Sequence, residues 1–233
     1  MSAPRNPGRV VGLWYLLLVV FGPLSLIYIP NKLFVQGDAA ATAANIAAHQ
    51  TLFRLGMVSD LLGALVLIFL VLAFYRLFKD VDRQLAVLLA ITGGVMPALL
   101  NFVNFTSDAA ALTVAQGAGF LSVFDKPQHD ALLMLLLNLH HHQLTAAELL
   151  WGVWLFPMGA LVYKSRFVPR LLGVWLWVNG AAYVVLCFSR IFFPSAEDRL
   201  FLFSQPALFG ELALMLWLVI KGANPPQPAV ASA

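Results

Sequence analysis

Apolar residues occur along this chain in six long segments separated by shorter polar stretches. Each segment approaches about 20 residues, the length at which a helix crosses the hydrocarbon core of a bilayer. Leu and Ala predominate and no segment alternates apolar and polar positions, so the pattern does not favour strands. We predict an all-α bundle of six membrane-spanning helices: Val10–Ile29, Leu52–Tyr75, Leu85–Phe105, Thr145–Tyr163, Leu171–Phe192 and Phe203–Ile220.

The composition supports a membrane protein and excludes other classes. The chain is 61% hydrophobic and 11% charged, whereas soluble domains carry about 25% charged residues. Too few charges remain to cover a surface that faces water, which excludes a soluble enzyme, a disordered protein and a coiled coil. The net charge of +3 does not indicate nucleic-acid binding, because the basic residues are scattered at helix ends.

The chain divides into three parts by sequence pattern. We predict a flexible N-terminus over residues 1–8, the six-helix domain over residues 9–222, and a disordered Pro-rich tail over residues 223–233. The first apolar segment exceeds the roughly 7–15 residues of a signal-peptide core, so we expect it to remain as a span. Trp14 and Tyr15 near its start are typical of residues that anchor a helix at the membrane interface.

Local signals predict helix ends and kinks. Asp38 is placed to cap an Ala-rich helix that ends at His49, and Asp125 to cap a helix that begins beside it. The second of these could run unbroken over Pro127–Tyr163, with Gly117 marking a break before it. These two helices place short helical segments in the long outer connections. Prolines inside three spans predict kinks: Pro23, Pro97 and Pro157.

The distribution of basic residues predicts the orientation. One set of helix ends carries nine: Arg5, Arg9, Arg76, Lys79, Arg83, Lys164, Arg166, Arg170 and Lys221. The other set carries five: Lys32, Arg54, Lys126, Arg190 and Arg199. Because basic loops stay in the cytoplasm, we predict that both termini are cytoplasmic.

Four stretches of sequence together resemble the DUF4386 family of bacterial multi-pass membrane proteins. They are Gly37–Ile46, Leu52–Gly56 with Ser59–Leu62, Asn138–His140, and Ser165–Val174. The resemblance extends from about Arg9 to Ile220. It implies a six-helix domain in the bacterial cytoplasmic membrane. The family has no known function, so the resemblance assigns no catalytic residue, cofactor or substrate.

Polar residues inside the predicted spans concentrate in the outer half of the bilayer, with Glu211 near mid-depth. A charged side chain at the bilayer centre costs about 2.5–3.5 kcal/mol on insertion scales, so such residues are expected to face the bundle interior. We predict that they line an outward-facing polar pocket. The candidates are Arg54, Asp60, Asn101, Asn104, Asp108, His141, Glu148, Tyr183, Arg190 and Glu211.

The histidine triplet allows a metal hypothesis. Consecutive helical residues point about 100° apart, so all three histidines cannot bind one ion from a regular helix. His141 shares a face with Glu148, and we expect this pair, more than His142, to point inward; the direction of His140 is undecided. A divalent metal at His141 and Glu148 would need ligands from other helices. The single cysteine, Cys187, excludes a cysteine-based zinc site and an internal disulfide.

Three functions remain open from the sequence. The first is a pocket that binds, transports or senses a small ligand, and the excess of four intramembrane carboxylates over two arginines favours a cation. The second is a membrane-embedded hydrolase-type enzyme in which a metal or a carboxylate–histidine pair activates water. Its groups would be Asp60, His141, Glu148 and Glu211. The third is a structural or accessory subunit. The expected partners are membrane lipid and a small molecule, without nucleic acid; the oligomeric state is open.

Overall fold

A computed structural model describes residues 6–225 of the chain, except for the side chains of residues 196–198. The described residues are helical, with no strand among them, which confirms the all-α prediction. The helices are α1 (Pro7–Pro23), α2 (Ile29–Leu33), α3 (Ala39–Ala48), α4 (Gln50–Phe78), α5 (Arg83–Ala90), α6 (Met96–Ala115), α7 (Lys126–Val153), α8 (Leu155–Ser165), α9 (Arg170–Phe192) and α10 (Glu197–Ile220).

The structure confirms six helical segments that are long and apolar enough to cross a membrane. They are Pro7–Leu33, Gln50–Phe78, Arg83–Ala115, Lys126–Ser165, Arg170–Phe192 and Arg199–Ile220. The fourth, 40 residues long, contains the predicted helix Pro127–Tyr163 with one interruption, a turn at Trp154. The first begins at Pro7, two residues before the predicted domain start. Residues 226–233 of the predicted tail lie outside the described residues.

Each of the three predicted kinks coincides with a departure from regular α-helix. Pro23 is followed by a π-helical turn at Leu24–Tyr28, and Pro97 is preceded by one at Ile91–Val95. Pro157 follows the turn at Trp154 that separates α7 from α8. Proline lacks the N–H that would bond the carbonyl four residues earlier, so the helix must change its hydrogen-bond spacing or break there.

Contacts divide the described chain into two compact units. The first unit contains residues 6–16, 69–95 and 148–225, and the second contains Leu17–Ile68 and Met96–Ala147. In the first unit Phe74 and Phe78 stack on each other, and Leu155 and Met158 of α8 are fully buried. The Phe74 ring also lies edge-on to the Tyr15 ring, so this apolar core borders one polar residue of the first unit.

Two glycine pairs hold α9 against the chain of α7 and α8 within the first unit. A Cβ on Gly159 would lie 2.7 Å from the carbonyl oxygen of Gly173. A Cβ on Gly152 would lie 2.8 Å from that of Gly180. Gly152 and Gly159 are seven residues apart, and so are Gly173 and Gly180 on the antiparallel helix α9. The two helical backbones therefore approach closely over two helical turns.

The second unit contains the short helix α3, and its predicted cap is confirmed. The Asp38 side chain accepts from the Ala41 N–H at 2.8 Å. Thr42, fully buried, donates to the Val35 carbonyl and accepts from the Val35 N–H. The Asn45 side chain donates to the Leu33 carbonyl at 3.2 Å, near the end of α2. The polar residues of this stretch therefore fasten α3 to the segment that precedes it.

The other predicted loop signals are also confirmed. Asp125 accepts from the Gln128 N–H at 2.9 Å, which caps the start of α7. Gly117 adopts a left-handed backbone with φ of 65°, a conformation that glycine takes without strain, and this residue ends α6.

Candidate functional site

The ten residues predicted to converge fall into two groups, each with contacts inside its own unit. Six lie in the second unit: Arg54, Asp60, Asn101, Asn104, Asp108 and His141. Four lie in the first unit: Glu148, Tyr183, Arg190 and Glu211. Each group is a candidate site within its own unit.

Two aspartates and one histidine meet in the second unit. The ring Nδ1 of His140, on α7, lies 2.9 Å from Oδ1 of Asp108 on α6. Asp60 of α4 lies close enough to both for electrostatic interaction, and the Ser25 side chain interacts with its carboxylate. We call Asp60, Asp108 and His140 the aspartate–histidine cluster.

Helix geometry explains why this cluster forms. Asp108 is buried on α6 beside Ser107, whose hydroxyl lies 3.5 Å from the side-chain oxygen of Gln143 on α7. Gln143 and His140 are three residues apart on α7 and therefore share a face. Two successive polar contacts thus hold α6 and α7 together at this level.

The cluster carries more negative than positive charge when its aspartates are ionised. Two carboxylates face a single histidine, which is charged only when protonated. Arg54, the one arginine among the predicted pocket residues of this unit, is exposed. Even with a protonated histidine, one negative charge is left uncompensated, so the arrangement favours uptake of a proton or another cation.

Asn104 is a second polar group of α6 inside this unit. It is 2% exposed, and its side-chain oxygen has no hydrogen-bond partner within the described part of the chain. An unsatisfied buried acceptor is costly unless a ligand or water fills it. Asn101, one turn away, is half-buried.

The structure places His140, and not His141, against Asp108. His141 and His142 are both exposed, whereas the His140 side chain is 20% exposed and bound to Asp108. The prediction aligned His141 with Glu148, which is indeed buried. The buried leucines before the triplet set the inward face instead, because Leu133 and Leu137 lie seven and three residues before His140.

The first unit also contains a polar cluster. The Tyr15 hydroxyl of α1 donates to Oε1 of Glu211 on α10, and Tyr183 of α9 also interacts with Glu211. Tyr15 is 4% exposed, so its predicted role as an interfacial anchor is wrong. Glu148 of α7 and Arg190 of α9 form an ion pair at 3.3 Å.

Sequence reasoning missed Tyr15 although α1 carries a signal for its burial. Gly8, Val11 and Gly12 are buried on the same face of α1, at the helical spacing that leads to Tyr15. A Cβ on Gly8 would overlap Ala223, and one on Gly12 would overlap Val219. The glycines thus let α1 approach the end of α10 and place the tyrosine beside Glu211.

The metal hypothesis places a divalent ion at His141 and Glu148. Among residues 6–225 there is no group of three or more His, Cys, Asp or Glu side chains arranged to hold a metal ion. His141, one of the two predicted ligands, is exposed. The metal hypothesis stays a prediction from sequence.

Three cavities open on the described surface away from the predicted residues. One of about 680 Å³ lies at Arg166–Arg170 and Trp217. Another of about 560 Å³ lies along residues 47–52 and Leu55, and a third of about 280 Å³ lies between α3 and the start of α7. None of the ten predicted residues lines these three cavities.

Comparison with known proteins identifies the family. The family model described as a domain of unknown function (DUF4386) matches residues 10–222. The chain therefore belongs to the DUF4386 family, as the four sequence stretches indicated. Its description assigns no activity, so function must be argued from the two clusters and the surface.

One distant relative has a similar stretch of sequence. An uncharacterized protein of Archaeoglobus fulgidus is 33% identical over 88 residues, which are 35% of this chain and 51% of that protein. The chain thus matches about half of the length of this relative. No solved structure matches the chain.

Proposed function

We propose that this DUF4386 protein binds a small cation at the aspartate–histidine cluster. The observation that carries the proposal is the contact of His140 with Asp108 at 2.9 Å, with Asp60 within range of electrostatic interaction with both. One histidine cannot neutralise two carboxylates. A bound cation would complete the charge balance of a polar group held between three apolar helices.

The chemistry of the cluster limits the ligand. Two carboxylates and a serine hydroxyl offer oxygen ligands, which suit a hard monovalent cation or a primary ammonium group. When protonated, His140 would compete with such a cation for the aspartates. Binding should therefore be stronger at a pH where the histidine is neutral.

We further propose that the protein lies in the bacterial cytoplasmic membrane with both termini in the cytoplasm. The support is the excess of basic residues at one set of helix ends, nine against five. In that orientation Asp60, Asp108 and His140 belong to the outer half of their spans, so the cation would enter from outside the cell.

Thermal unfolding of purified protein in detergent tests the binding. Sodium, potassium and ethanolammonium chloride are titrated at constant ionic strength, with N-methylglucamine chloride as the replacement salt. A ligand that binds only the folded state stabilises it by about 2.7 kcal/mol at 100 times its Kd. We expect at least one of the three cations to raise the unfolding midpoint with saturation.

Two variants separate binding at the cluster from general salt effects. Asp108→Asn should abolish the saturable rise, because it removes one carboxylate and keeps the side-chain shape. Asp80→Asn, at an exposed aspartate in the loop after α4, makes the same change in net charge and should keep the rise. The proposal is wrong if no cation produces a rise that Asp108→Asn removes, and a structural role for the cluster then stands in its place.

A hydrolase-type enzyme is the second candidate, and the same contact is what favours it. His140 is bound through Nδ1 to a carboxylate, the arrangement that orients a histidine to act as a base through Nε2. Hydrolysis of p-nitrophenyl butyrate by the purified protein, lost in His140→Gln and kept in His141→Gln, would favour this candidate over simple binding.

A further inference from the structure

The loop between α8 and α9 contains an open cavity with basic walls. The cavity is about 680 Å³ and is lined by residues 166–170 and by Trp217 of α10, all of them in the first unit. Arg166 and Arg170 contribute two guanidinium groups, and no carboxylate is among the lining residues. Its charge and size suit an anion larger than a simple inorganic ion.

Arg166 occupies a position where glycine would be easier to accommodate. It ends α8 with φ of 62°, in the left-handed region, and it is the single non-glycine residue with positive φ in the described part of the chain. Helices commonly end with glycine at such a position because a side chain is disfavoured there. This backbone outlier beside a cavity is a reason to test whether the Arg166 guanidinium binds a ligand.

The neighbouring side chains leave the guanidinium groups of Arg166 and Arg170 available to bind an anion. Lys164 is bound to Asp82 at 2.8 Å, so this carboxylate is occupied by another base. The Arg170 guanidinium lies 5.1 Å from the centre of the Tyr163 ring, a contact that orders the side chain without neutralising its charge. Both arginines are exposed.

The position of the cavity indicates where its ligand comes from. Ser165 ends one candidate membrane span and Arg170 begins the next, so the loop lies at the membrane surface. Phe167 and Trp217 supply aromatic walls of the kind found at the level of lipid head groups. Basic pockets between spanning helices on the cytoplasmic side bind anionic lipid head groups.

We propose that this cavity binds the phosphodiester of an anionic phospholipid head group. Arg166 and Arg170 would bind the phosphate oxygens through charge-assisted hydrogen bonds. Trp217 would pack against the glycerol region. The site is independent of the cation proposed for the second unit.

Lipid binding to the purified full-length protein tests the site. Affinity is measured in detergent for phosphatidylglycerol, for phosphatidylcholine, and for inorganic phosphate. We expect phosphatidylglycerol to bind the more tightly of the two lipids. The double variant Arg166→Gln, Arg170→Gln should weaken that binding by roughly tenfold or more, the loss expected when charge-assisted hydrogen bonds are removed.

Matched variants protect the test from trivial explanations. The double variant Lys79→Gln, Arg83→Gln removes the same charge from two exposed residues at the loop between α4 and α5. It should keep the affinity for phosphatidylglycerol. Arg166→Gly removes one guanidinium and relieves the left-handed backbone, so it should unfold no earlier than the wild type and still bind the lipid more weakly.

Three outcomes would overturn the proposal. One is equal weakening in the two double variants, which would mean that only net charge matters. Another is unchanged affinity in Arg166→Gly. The third is inorganic phosphate that displaces phosphatidylglycerol at equal concentration, which would assign the site to a soluble phosphate.

Discussion

At the scale of single residues, the polar positions divide into those that close the fold and those that hold charge. Thr42 and Asn45, within one of the stretches that carry the family resemblance, bond to backbone groups before α3. Their role is to satisfy the backbone of the connection between the first two spans. His140 and Asp108, by contrast, bond to each other across two helices, which is where a ligand could compete with the protein.

We predict that His140 and His142 differ in their effect on stability. His140→Phe should cost about 3 kcal/mol, because it leaves the buried Asp108 carboxylate without its partner. His142→Phe, at an exposed position, should change the free energy of unfolding by no more than about 0.5 kcal/mol. Reversible unfolding in mixed detergent measures both values, and a larger cost for His142→Phe would show that α7 has another rotation.

The sequence predicts which residue types are buried better than which individual residue is paired. Asp108, Asn104 and Glu148 are buried as the cost of exposing them to lipid requires. The partner of Asp108 was missed, because adjacent positions on a helix differ by about 100° and the polar residues around the triplet do not settle its phase. The buried residues Leu137 and Leu133, one and two turns before His140, do settle the rotation of α7.

At the scale of helices, close backbone contact is what positions the polar residues of the first unit. The pairs Gly152–Gly180 and Gly159–Gly173 set the register of α9, which carries Tyr183 and Arg190. The sequence indicates close packing at Gly152 and Gly159. It does not indicate the partner glycines, because register depends on the neighbouring helix as well.

We predict that a methyl group at one of these contacts is costly. In Gly159→Ala, the new Cβ would lie 2.7 Å from the Gly173 oxygen and the Trp177 ring, so the helices must separate. Overpacking of this kind costs about 1–3 kcal/mol. Gly22→Ala is the control: it lies in α1 with no atom within 4 Å of the new Cβ, and alanine should stabilise that helix slightly. Equal unfolding free energies for the two variants would contradict the close contact.

The start of α5 provides a pH-dependent contact outside the spans. Lys164 donates to the Asp82 carboxylate, and the Leu85 N–H donates to it as well, which together hold the pKa of Asp82 below its ordinary value. A carboxyl whose pKa is lower in the folded state stabilises the fold above its unfolded-state pKa of about 3.9. That contribution is lost as the pH falls through the lower folded-state value.

We therefore predict that Asp82→Asn reduces the acid-side loss of stability. The measurement is the thermal midpoint of the wild type and the variant between about pH 3 and pH 6, around the ordinary carboxyl value. Lys164→Gln should reduce the same dependence, since Lys164 is the main cause of the lowered pKa. High salt should shrink both effects, because the pair is exposed. Identical pH profiles for the wild type and both variants would contradict this contact.

At the scale of the whole molecule, the six-span architecture follows from the hydrophobic pattern with few exceptions. Apolar runs long enough to cross a bilayer leave the backbone no alternative to helix, so existence and number of spans are well determined. The ends of the spans are less well determined by the sequence. The first span, for example, extends to Leu33, beyond the predicted Ile29. The π-helical turns near Pro23 and Pro97 could not be specified from the sequence, because a proline allows several local adjustments.

The orientation is the prediction on which both proposed sites depend for access to their ligands. We expect a cysteine at Gln36 to react with a membrane-impermeant maleimide in whole cells, and a cysteine at Asp80 to react only after lysis. The native Cys187 is buried and is replaced by serine in both cases. The reason is the preference of basic loops for the cytoplasm, and the connection at Asp80 is flanked by Lys79 and Arg83.

A fluorescent or enzymatic reporter fused after Lys221 gives an independent check, and it should read cytoplasmic. The two assays must agree, because four spans, an even number, separate the connection at Asp80 from Lys221. Labelling at Asp80 from outside would reverse the orientation. The aspartate–histidine cluster would then open towards the cytoplasm, where a cation would reach it at intracellular concentrations. The basic cavity at Arg166 and Arg170 would face the outer leaflet, which would remove the cytoplasmic-side argument for an anionic head group.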